Sequence, residues 1–203
     1  MREYIRFSRN TIVHRIAVEI LDMLDMMLLT IFCIIMLFTY VFHVATVQGS
    51  SMVPTLTTED KLLVNNFSGE PQAGDILIIG VEEATLMQSD GSLYTADGLG
   101  KTIVKRVIAV GGQELNIDFD AGKVYVDGVQ IEENYVNNLT TVPQKGGAFT
   151  YPITIPEGYI FVMGDNRDVS LDSRYSNVGL VPESDVVGKV LLRIYPWSQF
   201  GPV

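Results

Sequence analysis

The stretch MMLLTIFCIIMLFTYVFHV, residues 26–44, divides the chain into two parts of different character. It contains no Lys, Arg, Asp or Glu and is about long enough, as a helix, to cross the hydrocarbon core of a bilayer. The alternatives are a buried core helix and a cleavable signal peptide. Core helices rarely have so long an apolar run. The apolar region of a signal peptide is shorter, roughly 7–15 residues. We therefore predict a transmembrane helix over residues 26–47.

The segment before this run, residues 1–25, predicts an amphipathic cytoplasmic extension of the helix. In RNTIVHRIAVEILDMLD (9–25), apolar residues recur at helical spacing with charged residues between them. Four arginines precede the apolar run, and the first basic residue after it is Lys61. The positive-inside rule then places the N-terminus in the cytoplasm. We expect a single-pass protein of the cell membrane with residues 48–203 on the extracytoplasmic side.

The charge of the 203-residue chain is concentrated after the apolar run. The net charge is −10, and residues 1–44 hold four basic and four acidic residues, which leaves 10 basic and 20 acidic residues for the rest. An acidic domain repels phosphate backbones, so nucleic acid is not expected as a partner. The only cysteine is Cys33, and the two histidines, His14 and His43, precede the polar domain. We therefore expect no intrachain disulfide and no cysteine or histidine zinc site in that domain.

After residue 48 the sequence predicts an all-β domain. Short β-branched runs bounded by Gly, Asn and Asp are typical of strands, and Asp127-Gly128 suits a two-residue hairpin turn. Residues 81–100 and 132–150, rich in Gly, Ser, Thr and Asn, predict irregular insertions. Residues 132–150, together with the hairpin before them, predict a small accessory lobe at about residues 113–156. The predicted strands are KLLVNN (61–66), GDILIIG (74–80), KTIVKRVIAVGG (101–112), GKVYVDGVQI (122–131), YIFVMGDN (159–166) and DVVGKVLLRIYP (185–196).

A hydroxyl-rich turn, QGSSMVPTL (48–56), follows the membrane run. Its Gly and Pro could simply let the chain leave the bilayer, but Ser51 could also be a nucleophile held at the membrane surface. A serine hydroxyl needs a base to take its proton, and histidine is the usual one. His14 is predicted on the wrong side of the membrane. His43 precedes Ser51 so closely that a continuing helix would hold it back in the interface.

Lysine can replace histidine as the base when it is neutral, and burial in apolar surroundings lowers the pKa of a lysine. The stretch TIVKRVIAV (102–110) places Lys105 in the most apolar strand outside the membrane. Alternation puts it on the same face as Ile103 and Val107. A lysine at a sheet edge with its amine in water would show the same pattern, and lysines are rarely buried.

The stretch GDNRDVSLDSRYSNVG (164–179) combines acids, an amide, arginines and serines in one loop. A surface loop held by Asx turns and ion pairs has a similar composition. However, Asp172 and Arg174 are spaced to pair across a tight turn, and Ser170 could form a hydrogen bond beside a buried amine.

Four motifs, in this order and behind an N-terminal span, resemble the motif set of the bacterial type I signal peptidases. They are GSSMVPTL (49–56), GDILII (74–79), IVKRVIAVGGQ (103–113) and GDNRDVSLDSR (164–174), and RIYPWSQFG (193–201) extends the likeness. The resemblance implies a membrane-anchored, mainly β fold, with an antiparallel catalytic domain and a small inserted β lobe. It also implies a serine endopeptidase that removes N-terminal signal peptides from secreted preproteins after small residues, at A-x-A-like sites. No cofactor or metal is implied, and the partners would be preproteins and the lipid bilayer.

The resemblance also implies a role for each matching residue. Ser51 would be the nucleophile and Lys105 the general base of a Ser/Lys dyad. The supporting residues would be Ser170, which orients the lysine amine, Asp172 and Arg174, which form an ion pair, and Asp165, which braces the site. The residues that line the pockets for small substrate side chains would be Val47, Met52, Leu56 and Val104.

Two positions depart from the pattern of the family. Gly49 stands where some members have a serine that helps to bind the oxyanion, so the oxyanion would rest chiefly on the backbone N–H of Ser51. Val169 replaces an asparagine, which implies the loss of a loop hydrogen bond without an effect on the dyad. Gly49, the short chain and the lack of further cysteines resemble Gram-positive members. Lys105 argues against relatives of the endoplasmic-reticulum type, which have histidine there.

Two other functions remain open from the sequence. A membrane-anchored, noncatalytic β module that binds extracytoplasmic partners would give Ser51 and Lys105 no reason to meet. A self-cleaving serine/lysine protein related to the SOS-response repressors would need a cleavage site within the chain and usually a DNA-binding half. The sequence contains no recognisable half of that kind.

Overall fold

The structure is a computed structural model that describes residues 2–66, 69–88, 90–140 and 147–203, with the side chains of the first helix from Ile12 onward. The chain forms two compact units, Met1–Phe42 and His43–Val203.

The first unit is a single long helix, α1 (Arg2–Tyr40). Its part Ile12–Tyr40 is apolar and long enough to cross a membrane, with a mean hydropathy of 2.3 in its most apolar window. The helix ends at Tyr40, and strand β1 (Phe42–Thr46) follows at once, so the predicted helix end at residue 47 was wrong. The β-branched residues Val44 and Thr46 suit an extended chain, and the end of the apolar run therefore overlaps the first strand.

The second unit is built from antiparallel strands, which confirms the predicted mainly β fold. Each of the six predicted strands overlaps an observed one. In chain order the strands after β1 are β2 (Lys61–Asn65), β3 (Ile76–Met87), β4 (Leu93–Val110), β5 (Glu114–Asp118), β6 (Lys123–Val126), β7 (Val129–Gln130), β8 (Ile153–Thr154), β9 (Tyr159–Met163), β10 (Val181–Pro182) and β11 (Val186–Tyr195).

These strands form two sheets. The main sheet has seven strands in the order β1-β2-β11-β3-β4-β9-β10, and the second sheet has four in the order β7-β6-β5-β8. Two short 3-10 turns, Glu183–Asp185 and Trp197–Gln199, flank β11. The second sheet lies within residues 113–156, the range predicted for the accessory lobe. Asp127 and Gly128 both have positive φ, 52° and 77°, between β6 and β7, as the predicted two-residue hairpin turn requires.

The predicted irregular insertion at residues 81–100 was wrong. This region is the outer half of the long β3–β4 hairpin, in which Glu83 pairs with Asp97 and Met87 pairs with Leu93. A bulge between Val81 and Glu83 interrupts the register. A Cβ at Gly98 would lie 2.6 Å from the carbonyl oxygen of Val81, so the glycine that suggested a loop instead permits the close backbone approach at the bulge.

The second predicted insertion, residues 132–150, is irregular where the structure describes it. Residues 132–140 contain no strand or helix, and Gly147 forms an isolated bridge to Tyr175. Residues 141–146 lie outside the described residues.

One apolar core cluster joins the two sheets, and another underlies the hydroxyl-rich turn. Leu115 and Ile117 of the second sheet pack in one cluster with Phe161 and Met163 of the main sheet. Because the second sheet shares its core with the main sheet, it is anchored by apolar burial. The cluster beneath the turn consists of Val47, Met52, Leu56, Leu62, Val64, Ile76, Ile78 and Val190.

Candidate active site

The turn that carries Ser51 is fixed on both sides by backbone hydrogen bonds and buried side chains. Val47 donates to the carbonyl of Asp60 and accepts from the N–H of Glu59, at 2.9 and 3.0 Å. Met52 and Leu56 are 2% and 0% exposed, and the N–H of Leu56 donates to the carbonyl of Met52. Ser51 itself is half-buried. Its hydroxyl is therefore held at the surface by a turn whose neighbouring residues are in the core.

Lys105 reaches the Ser51 hydroxyl from the middle of β4. Its Nζ lies 2.8 Å from Ser51 Oγ and 2.9 Å from the carbonyl oxygen of Val104. Lys105 is only 3% exposed, and burial lowers its pKa to about 8, against the opposing effect of the Asp172 carboxylate. His43, the alternative base, has its Nδ1 2.5 Å from Asn66 Oδ1. Among the described residues, Lys105 is the basic side chain that meets Ser51.

The loop after β9 binds the backbone of the serine turn through Asn166. The Asn166 N–H donates to the carbonyl oxygen of Ser51 at 3.0 Å, and its side-chain amide donates to the carbonyl oxygen of Ser50 at 3.0 Å. Two hydrogen bonds to adjacent carbonyls fix both the position and the orientation of the turn. Sequence reasoning did not single out Asn166, because an asparagine after a strand is an ordinary turn residue.

Asp165 connects the serine turn to the strand of Lys105. It accepts hydrogen bonds of 2.9 and 2.8 Å from Arg106, and a further one from the hydroxyl of Thr55. Arg106 also donates to the carbonyl of Gly74 at 3.0 Å, and its guanidinium lies 4.1 Å from the centre of the Tyr135 ring. The predicted bracing acid is therefore in contact with both elements of the site. Its partners were missed, because they are distant in sequence.

The second buried ion pair holds the end of the same loop. Arg174 Nε lies 2.8 Å from Asp172 Oδ1, and Arg174 Nη2 lies 2.9 Å from Asp172 Oδ2. The Asp172 carboxylate also accepts from the N–H of Gly164 at 3.0 Å. Asp172 and Arg174 thus form the expected ion pair. Because Asp172 also binds Gly164, the pair joins the end of the loop to its first residue.

Ser170 does not form the predicted hydrogen bond with Lys105. Its hydroxyl is buried, and it has no hydrogen-bond partner among the described residues. The Lys105 amine instead donates to the Val104 carbonyl, which lies one residue away on the same strand. The loop brings Ser170 beside Gly164, but it leaves the hydroxyl unpaired in this conformation.

Arg167 links this loop to the segment before the second insertion. It is fully buried and donates to the carbonyl of Gly164 at 3.0 Å and to the hydroxyl of Thr140 at 2.6 Å. It also forms an ion pair with Glu133. Glu133 and Thr140 therefore hold the loop in place through Arg167, a role that no local sequence pattern indicates.

An open groove runs past Ser51 and Lys105. Of the four residues predicted to line the substrate pockets, Val47, Met52 and Val104 line this groove, whereas Leu56 is fully buried in the core and is not among the lining residues. Val169 also lines the groove and is 56% exposed.

One wall of this groove is an open strand edge. Residues 101–105 of β4 pair with β3 on one side, from Val81–Lys101 to Leu77–Lys105. On the other side, the pairing of β4 with β9 begins only at Arg106 and Met163. Over residues 101–105 the second edge of β4 is thus unpaired in the described part of the chain, and residues 45–49 line the same groove.

The described residues contain no group of three or more His, Cys, Asp or Glu side chains arranged to hold a metal ion.

Comparison with known proteins gives consistent matches. The model of the family described as "Signal peptidase, peptidase S26" matches residues 20–195. A probable signal peptidase I-1 of Synechocystis is 36% identical over 76% of this chain and 72% of its own length. Signal peptidase I T of Bacillus subtilis is 32% identical over 79% of this chain and 77% of its own. Signal peptidase I P of B. subtilis subsp. natto is 32% identical over 89% of this chain and 92% of its own length.

Proposed function

The chain belongs to the signal peptidase family, peptidase S26, and we propose that it is a serine endopeptidase that removes N-terminal signal peptides from exported preproteins with a Ser/Lys dyad. Removal of signal peptides by a membrane-bound hydrolase follows from its family and its relatives. In the described part of the chain one helix is long and apolar enough to cross a membrane, which together with the family and its relatives supports a single-pass membrane protein. The observation that carries the dyad is the 2.8 Å distance between Lys105 Nζ and Ser51 Oγ.

In the proposed reaction, neutral Lys105 takes the proton of Ser51, and Ser51 Oγ attacks the carbonyl carbon of the last signal-peptide residue. The tetrahedral intermediate collapses as protonated Lys105 gives its proton to the leaving amine of the mature protein. Lys105, neutral again, takes a proton from a water molecule that attacks the Ser51 ester. The signal peptide leaves as a carboxylate and Ser51 regains its proton. The reaction needs no cofactor and no metal.

The backbone supports the negative charge that develops on the attacked carbonyl oxygen. Gly49 has no side chain to contribute a donor, and the N–H of Ser51 donates to no acceptor among the described residues. We assign this N–H as the principal oxyanion donor. In other acyl-transfer enzymes, removal of one such preorganised donor lowers kcat by a factor of about 10²–10³.

The groove suits an extended peptide. The open edge of β4 at residues 101–105 offers backbone donors and acceptors to a substrate strand, which is a common mode of peptide recognition. The side chains of Val47, Met52 and Val104 would then contact the substrate residues before the scissile bond. Val47 and Met52 are buried in the core, so they offer an apolar surface that suits small side chains such as alanine, which agrees with A-x-A-like cleavage sites.

We also propose the orientation of the chain in the membrane. Arg2, Arg6, Arg9 and Arg15 precede the uncharged run of residues 26–44, and no Lys or Arg follows this run until Lys61. The N-terminus then lies in the cytoplasm and residues 43–203 lie outside it. Anchoring of enzyme and preprotein in one bilayer raises their effective concentration.

Incubation of the purified full-length protein in detergent with a preprotein, followed by sequencing of the new N-terminus, tests the proposal. We expect one cut after a small residue and no cut with Ser51→Ala. Cleavage by the purified Ser51→Ala variant would exclude Ser51 as the nucleophile. A noncatalytic binding module would give no product and no labelling of Ser51 by a serine-acylating inhibitor.

A further inference from the structure

We propose that Lys101 makes the groove select signal peptides with an acidic side chain at the fifth residue before the scissile bond, and that it disfavours a basic side chain there. This inference rests on the proposed function, because it takes the wall that includes Val104 as the binding site for the signal-peptide side of the substrate.

Lys101 lies in the same groove wall as the dyad. It is at the start of the open edge of β4, four residues before Lys105, and its side chain is exposed. At about 3.3 Å per residue, the two positions are about 13 Å apart along the strand. A peptide extended along this edge with the residue before its scissile bond beside Lys105 would place the residue four positions earlier, which is the fifth before the bond, beside Lys101.

Lys101 is the source of positive charge in an otherwise uncharged groove. Of the described residues that line it, only Lys101 and Lys105 have ionisable charged side chains, and Lys105 must be neutral to act as the base. The charge of Lys101 also contributes to the lowered pKa of Lys105. Its electric field therefore reaches the reacting groups, and a bound peptide would lie within that field.

The charge of Lys101 is not neutralised within the protein. No ion pair among the described residues includes Lys101. Glu82 and Glu83 follow its cross-strand partner Val81 and are exposed, but neither forms a salt bridge with it. A substrate carboxylate can therefore pair with Lys101 without displacing an internal partner, whereas a substrate lysine would face a like charge.

The test uses three peptide substrates that differ only in the fifth residue before the cut, which is Glu, Gln or Lys. We expect the wild-type protein in detergent to prefer the Glu peptide over the Lys peptide by about two- to fivefold in kcat/KM, the range for exposed ion pairs. Lys101→Gln should remove this preference, and Lys101→Glu should reverse it. The preference should appear mainly in KM, because the attraction is equal in the ground and transition states. It should weaken at high salt.

Lys61→Glu is the matched control, because Lys61 is exposed on β2, lies outside the groove and gives the same change in net charge. It should retain the wild-type preference. An unchanged preference in both Lys101 variants, or an equal change in Lys61→Glu, would overturn the inference. Absence of cleavage of all three peptides by the wild type would refute the proposed function instead.

Discussion

Asp165 binds the guanidinium of Arg106 through two hydrogen bonds, 2.9 and 2.8 Å long, and both residues are buried. Arg106 follows Lys105 in β4, and Thr55 in the serine turn donates to the same carboxylate. The ion pair therefore joins the strand of the proposed base to the turn of the proposed nucleophile, so stability and catalytic geometry depend on the same contact.

We expect Asp165→Asn to lower both the stability and the activity. The amide preserves the size of the side chain but leaves Arg106 buried without a counter-ion, and loss of one partner of a buried pair costs about 3–5 kcal/mol. Unfolding of the full-length protein in detergent measures the stability, and kcat/KM for a signal-peptide substrate measures the activity.

Asp75→Asn is the control for this variant. Asp75 pairs with Lys189 at 2.7 Å, but that lysine side chain is 32% exposed, so the loss should be below about 1 kcal/mol. Equal losses of stability in the two variants would show that the Asp165–Arg106 pair has no special role.

Gly164→Ala tests the close approach of the loop to the serine turn. A Cβ at Gly164 would collide with the hydroxyl of Ser170 and the carbonyl oxygen of Ser51. The loop must then move away from the turn and displace Ser51. A misplacement of about 1 Å can cost about a hundredfold in rate, so we expect kcat/KM to fall by about ten- to a hundredfold.

Gly80→Ala is the matched control for Gly164→Ala, because its Cβ would meet only the carbonyl oxygen of Asp185, at 3.8 Å. It should retain nearly full activity. Wild-type activity in Gly164→Ala would mean that the loop is not in tight contact with the turn in solution.

Ser170→Ala separates a catalytic role from a structural one. Because the Ser170 hydroxyl is buried without a partner, its removal costs no hydrogen bond, and the melting temperature should stay the same or rise. If Ser170 orients Lys105 during turnover, as the family resemblance implies, kcat should nevertheless fall, by about tenfold or more. An unchanged kcat would remove Ser170 from the site.

Ser173→Ala provides the contrast. The Ser173 hydroxyl oxygen is buried and accepts a hydrogen bond of 3.0 Å from the N–H of Val162. Its loss should lower the melting temperature, since a buried donor is left unpaired at a cost of about 1–3 kcal/mol. The effect on kcat should be smaller than that of Ser170→Ala.

The sequence predicted features that depend on local patterns. The alternating apolar residues around Lys105 predicted the strand that carries it, and Asp127-Gly128 predicted the β6–β7 turn. The outer β3–β4 hairpin was missed because Gly98 and its polar neighbours resemble a loop. Its pairing depends on a backbone approach that only the folded bulge reveals.

The residues of the site likewise differ in whether a local sequence motif indicates them. Lys105, Ser51 and the Asp172–Arg174 pair lie in motifs that can be recognised along the chain. The contacts of Asn166 with the serine turn join residues 116 positions apart, and no local periodicity indicates them. The unpaired hydroxyl of Ser170 depends on side-chain rotation, which sequence patterns do not specify.

Lys105→Arg tests whether the side chain at this position must lose a proton. Arginine preserves the positive charge and the approximate length, but it stays protonated under all assay conditions. We expect this variant to be as inactive as Lys105→Ala, while it still inserts into the membrane and folds measurably. An active Lys105→Arg enzyme would exclude Lys105 as the base and return His43 to consideration.

The pH dependence of kcat/KM tests the Ser/Lys dyad most directly. The folded pKa of Lys105 is lowered to about 8, so the amine is mainly protonated below that pH and cannot accept the Ser51 proton. The account predicts that kcat/KM rises about tenfold per pH unit well below pH 8 and levels off above it. A rate that is independent of pH from about 6 to 9, or that rises only near the ordinary lysine pKa of about 10.4, would contradict it.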